Sequence, residues 1–279
     1  MTDMEAREKI EIIETTLMRE SVLGFNPAIL ALLDNIESGR RDIENMKSHL
    51  GPDVFNYLFS VADSAYHGSM KAGPVKHFFD VVNRLGMQYV KVQILLFTLK
   101  RSARGDDDAE LLFARNIAAS ILGRILARGF GFRDDAARQV ELGCLLSRIG
   151  ALMMIIYRNN FTSPDVAVTD AFIEDHHAAL TERIIERFQL PDFLRDMVLT
   201  DYFILERRGV SLSAVVNLAV CLVECSFKKF ADKLVIRCPL PSDEDLSAPS
   251  LGKIMEEQFA AAGFRRYIEI VTESPRTEL

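Results

Sequence analysis

The side chains able to do chemistry are few and scattered: five histidines and four cysteines in 279 residues. His176 and His177 stand together after Glu174 and Asp175. Adjacent residues on a helix diverge by about 100°, so the pair is poorly placed to chelate one ion. Capping or packing by His177, with Asp175 balancing charge, is the expected role. Cys221 and Cys225 are spaced i, i+4 in an apolar stretch, one above the other on a helix face. Zinc would need four ligands, and no second pair or nearby histidine completes a set. With Cys144 and Cys238 they read as buried, reduced thiols behaving as small hydrophobes. His49, His67 and His77 have no Ser or Cys partner that would suggest a nucleophilic triad. Gly129-Phe130-Gly131 lacks the preceding strand and the following Lys-Ser or Lys-Thr of a phosphate loop. Lys100, Arg101 and Arg104, like Lys228, Lys229 and Lys233, fit cations placed at helix ends.

Composition narrows the classes. Lys and Arg number 33 against 40 Asp and Glu, a net charge of −7, which disfavours nucleic acid as the main partner. A hydrophobic fraction of 49% with 26% charged residues belongs to a globular chain rather than a disordered one. Residues 1–20 alternate acids and bases without an apolar core, so no signal peptide is expected there. Val210 to Phe227 is the most apolar window, but Asn217, Glu224 and three serines make it too polar and too short to span a membrane. A cytoplasmic protein is the default expectation.

The elements that must position these residues read as helices almost throughout. Glu5 to Arg19 carries Ile10, Ile12, Ile13 and Leu17, an amphipathic lead-in. Asn26-Pro27 caps and opens a helix bearing Ile29, Leu30, Leu32, Leu33 and Ile36, and a short helix follows from Asp42 to His49. Helices are expected from Pro52 to Ser64, from Pro74 to a stop at Gly86, and from Met87 to Leu99. The charged run Lys100 to Asp108 divides two helical lobes. Beyond it come Ala109 to Gly129, Asp135 to Ser147 capped by Asp134, and Ala151 to Tyr157. Ala171 to Phe188, a helix after Leu190-Pro191, and a buried Ser211 to Phe230 complete the second lobe. Leu234 to Arg237 is the one plausible strand, and a last helix runs from Leu251 to Glu273. The expected division is a lead-in at 1–21, lobes at 22–104 and 105–230, and an extension at 231–279.

Four segments, in order, resemble the HDOD domain family, a bacterial branch related to the HD phosphohydrolases. Phe59-Ser60-Val61-Ala62-Asp63-Ser64-Ala65-Tyr66-His67-Gly68 is similar to the family's L-x-x-A-N-S-A-Y-Y-G. Val81-Val82-Asn83-Arg84-Leu85-Gly86 matches the helix and L-G step that follow, and Gly143-Cys144-Leu145-Leu146-Ser147-Arg148-Ile149-Gly150 resembles G-L-L-H-D-I-G. His177-Ala178 through Phe188-Gln189-Leu190-Pro191 is similar to a later H-A…W-x-L-P segment. The likeness covers about Val22 to Phe230 and implies an all-α, two-lobe HD-like bundle.

The resemblance also implies where metal ligands would stand. The early His position falls near Arg115, the His-Asp pair on Ser147-Arg148, and the late Asp near Val220; the accessory histidines after Leu190-Pro191 fall on Thr200-Asp201-Tyr202. Guanidinium groups there would oppose bound cations, and valine cannot coordinate. A metal-dependent phosphohydrolase is therefore not expected, and no metal or other cofactor is. The expectation is a non-catalytic signalling module that binds a protein partner. The alternative is a sensor whose Arg115, Ser147 and Arg148 hold a nucleotide or cyclic dinucleotide through guanidinium forks. In the blander case Arg148 merely pairs with a neighbouring carboxylate, such as Glu141 or Asp201, and fills the site structurally. Dimerisation through either terminal helix is left open.

Overall fold

The computed structural model describes residues 3–19, 22, 50–64, 75–103, 105–161, 166–199, 210–229, 234–239, 256, 260 and 265–273. The helices expected at Pro27 to Ile36 and Asp42 to His49, the Tyr66-His67-Gly68 end of the first signature, and Thr200-Asp201-Tyr202 lie outside them. Helix boundaries follow local chemistry. α1 spans Asp3–Leu17, and α2, Pro52–Ser64, opens on the proline suited to a first turn. α3, Phe78–Leu85, begins four residues after Pro74, where the Asp80 carboxylate accepts the His77 backbone N–H at 2.9 Å. Gly86, with φ of 83°, ends α3, and α4, Met87–Ser102, starts at once. Lys100 to Ser102 are thus helical rather than linker, because the apolar pattern of α4 carries its last turn. Asp106 caps α5, Asp107–Gly129, by accepting the Ala109 N–H at 3.0 Å, with Asp107, Asp108 and Glu110 in the first turn.

α6, Asp134–Leu146, and α7, Ile149–Asn160, meet at the turn Ser147-Arg148. Together they form a 27-residue apolar stretch, and 83% of its most apolar window is buried inside the protein. α8 spans Asp170–Arg187 with Thr169 as cap, α9 Asp192–Leu199, and α10 Leu212–Lys229. β1, Leu234–Pro239, pairs in parallel with β2, Ile268–Glu273, Leu234 opposite Ile268. The last helix expected through Glu273 is corrected at its end, where Arg265–Tyr267 form a short 3-10 turn and Ile268–Glu273 a strand. Ile268, Ile270 and Thr272 alternate with Glu269 and Val271, β-branched residues at period two that favour a pleated backbone.

α2, α3 and α4 pack on one another as the first lobe, while α5, α6 and α10 form the centre of the second. α4 joins them, touching α5, α6 and α7. Its Val90, Val92, Ile94, Leu95 and Leu99 are buried, and even Lys91 is covered, its Nζ donating to the Phe188 carbonyl that ends α8 at 3.2 Å. α1 lies against α7 and α8 with Ile10, Ile13 and Leu17 buried. α10 buries Val215, Val216, Ala219, Val223 and Phe227 but turns Cys221, Leu222 and Cys225 outward. The buried-thiol expectation holds for Cys144 and is corrected for Cys221 and Cys225. The i, i+4 spacing placed both on one face correctly, but that face looks to solvent. Leu222, 45% exposed, shows that overall apolarity does not say which face is inside.

Candidate functional site

Three of the four positions singled out in the sequence meet at α10: Val220 lies on it, and Arg148 and Arg115 reach its Glu224 and Phe227, while Ser147 keeps to the end of α6. Val220, Glu224 and Phe227 are spaced four and three residues apart, so they share one side of that helix. Arg148, in the turn between α6 and α7, reaches Glu224, with Nη2 2.6 Å from Oε1; its Nη1 lies 4.0 Å from Glu174 of α8. Both side chains of the closer pair are about a quarter exposed, at 27% and 25%. Arg115, on α5, lays its guanidinium 5.5 Å from the centroid of the Phe227 ring, a cation–π contact one helical turn along. Ser147 donates its hydroxyl to the Cys144 carbonyl at 2.9 Å, capping the end of α6. Val220 is half-buried against the core.

Arg148 does pair with a neighbouring carboxylate, but with Glu224 rather than Glu141. Glu141 instead accepts the Tyr89 hydroxyl at 2.8 Å and the Arg124 guanidinium at 3.2 Å, and Asp201 is outside the described residues. Glu224 was missed, although its place four residues after Val220 was the available signal. Burial raises the Tyr89 pKa well above the ordinary phenol value, reinforced by the negative charge of Glu141. Among the described residues, no group of three or more His, Cys, Asp or Glu side chains is placed to hold a metal ion. His176 rests its ring against Phe172, 4.7 Å between centroids, one turn back on α8, while the His177 carbonyl accepts the Thr181 hydroxyl at 2.9 Å.

Gly150, the last residue of the motif, has a structural role. Its backbone N–H donates to Thr181 Oγ1 at 3.0 Å, and a Cβ built there would fall on the His177 carbonyl oxygen. Only a glycine lets α7 approach α8 so closely. The first signature has a comparable role: Asp63 accepts the Val75 N–H at 3.2 Å and pairs with Arg84 at 3.4 Å, tying the end of α2 to α3.

Comparison with known proteins bears on the fold and the family. The HDOD domain model matches residues 27–202. Among solved structures, a candidate metal-dependent phosphohydrolase of Shewanella amazonensis is similar at 14% identity and a TM-score of 0.53, over 92% of this chain and 99% of that one. A second candidate phosphohydrolase of the same organism is 17% identical at a TM-score of 0.53, over 94% and 96%. An HDOD domain protein of unknown function from Geobacter sulfurreducens is 15% identical at a TM-score of 0.49, over 95% and 87%. The two likenesses at a TM-score of 0.53 establish the fold alone. No curated protein matches the chain. The family match spans well over half of the sequence, and the chain belongs to the HDOD domain family.

Proposed function

We propose that this chain is a non-catalytic regulatory module of a bacterial signalling pathway, acting in the cytoplasm by holding a protein partner. The observation behind this reading is the Arg148–Glu224 pair, 2.6 Å apart. A fixed guanidinium stands in the turn where the resemblance puts a His-Asp metal pair, and its carboxylate partner is already engaged. A second cation brought to the same place would meet like charge, and Val220 offers it no donor atom. The net charge of −7 fits a protein partner better than nucleic acid.

The alternative, an anion held by Arg115, Ser147 and Arg148, has less to support it. Arg148 is committed to Glu224, the Ser147 hydroxyl to Cys144, and the Arg115 guanidinium lies over Phe227. The test is hydrolysis. Incubated with Mn²⁺ or Fe²⁺ and either bis-p-nitrophenyl phosphate or a cyclic dinucleotide, the protein is expected to give no product above buffer. Metal-dependent turnover that disappears in Arg148→Ala would refute the non-catalytic reading.

A further inference from the structure

Cysteine is among the residues most often buried, yet α10 turns two of its cysteines to solvent. Cys221 and Cys225 are four apart, so they stand one above the other on the helix surface. Neither is in a disulfide. Leu218, half-buried, and Leu222, 45% exposed, complete the same stripe. The opposite side, with Ala219, Val223 and Phe227, is buried in the core. α10 is seated on α5 and α6, so its outer face is a rigid platform.

Spacing decides what the pair can do. Side chains four apart on a helix have Cβ atoms about 5–6 Å apart. A disulfide needs about 3.5–4.5 Å, so the pair does not close on itself. Two metal–sulfur bonds of about 2.3 Å, set end to end, span a distance that sulfurs on such Cβ atoms reach. A tetrahedral ion would need two more ligands. Among the described residues, no group of three or more His, Cys, Asp or Glu side chains is placed for one, and the neighbouring Glu224 is held by Arg148. The ion that fits is satisfied by two thiolates in line, a soft monovalent cation of the cuprous kind. Cys221 has an interaction of its own within the chain. A thiol is a weak hydrogen-bonding group, so that interaction yields to a metal–thiolate bond.

We propose that Cys221 and Cys225 form a two-thiolate site for Cu⁺ on the outer face of α10. Two S–H bonds break and two S–Cu bonds form; both protons pass to solvent and no electron is transferred. The bound unit carries one net negative charge, with Leu218 and Leu222 along its flank. The site is separate from the Arg148–Glu224 pair and does not depend on the reading given for it.

The test is titration of the full chain with Cu⁺ under nitrogen, in competition with bicinchoninate, whose colour reports the copper it holds. The parent is expected to withhold one equivalent per chain. Cys221→Ser and Cys225→Ser should each weaken retention about a hundredfold, because a single thiol loses the chelate. β1 carries Cys238 and touches α10, so Cys238→Ser is the control and should leave retention unchanged. Alkylation by iodoacetamide reads the same site without substitution: in the parent, Cu⁺ is expected to slow labelling of Cys221 and Cys225 together. Four results overturn the proposal: no copper withheld from bicinchoninate, half an equivalent per chain, retention that survives either of the two serine variants or falls in Cys238→Ser, and labelling that Cu⁺ does not slow.

Discussion

Gly150 shows how strictly a single residue can be determined. Its missing side chain is the space into which the His177 carbonyl fits, and its N–H satisfies Thr181. Gly150→Ala is therefore expected to push α7 from α8 and cost about 2–3 kcal/mol, read as a fall in the urea midpoint. An unchanged midpoint would show that the contact yields freely. The glycine was legible in the sequence as part of a motif; its partner Thr181, 31 residues away, was not, because the pairing needs α7 and α8 folded together. Buried acids add a pH signature. Burial pushes the Cys144 thiol and the Tyr57 and Tyr89 phenols above their ordinary values of 9.0 and 10.0. In the unfolded chain they ionise at those values, so their contribution is whole below pH 9 and declines as pH rises beyond it. Lys100, whose pKa burial lowers, acts in the opposite direction over the same range. Tyr267, also raised by burial, joins the first three, and four groups against one predict a urea midpoint that falls between pH 9 and 11, less steeply in Tyr89→Phe. A midpoint that rises there would contradict the burial of these side chains.

At the scale of elements, α1 is the part whose role the sequence left open. Its period of apolar residues announced an amphipathic helix, but not the surface it would cover. In the structure Glu14, only 6% exposed at its side chain, receives Arg183 at 2.5 Å and Arg187 at 2.9 Å from α8. The arginines are two-fifths exposed, so solvent screens part of the attraction. Glu14→Ala is expected to cost about 1–2 kcal/mol. It should also speed protease cleavage within residues 1–19 before the rest of the chain is cut. Cleavage no faster than in the parent would mean that apolar burial alone holds α1. Helix ends were the most legible feature: Pro52 opens α2, Gly86 separates α3 from α4, and acidic residues crowd the start of α5. β2 was misread because Leu251 to Glu273 contains enough apolar residues for a helix. What settles it as a strand is pairing with β1 more than thirty residues earlier, and no local pattern encodes such a partner.

The whole molecule joins two helical lobes through α4, a helix buried along most of its length. That architecture could be read from motif order and spacing, and the family match over residues 27–202 agrees with it. The condition of the site was less legible. The resemblance put Arg115, Ser147, Arg148 and Val220 on ligand positions one by one, whereas the Arg148–Glu224 pair joins residues 76 positions apart. The proposed reading is that an internal ion pair stands where the resemblance puts metal ligands, and this is the claim on which the non-catalytic reading rests. The most direct measurement is metal content by plasma mass spectrometry on tag-free protein purified without chelators. The account predicts iron, manganese and zinc each well below stoichiometric amounts, in the parent and in Arg148→Ala alike. Near one or two equivalents of any of them would contradict it.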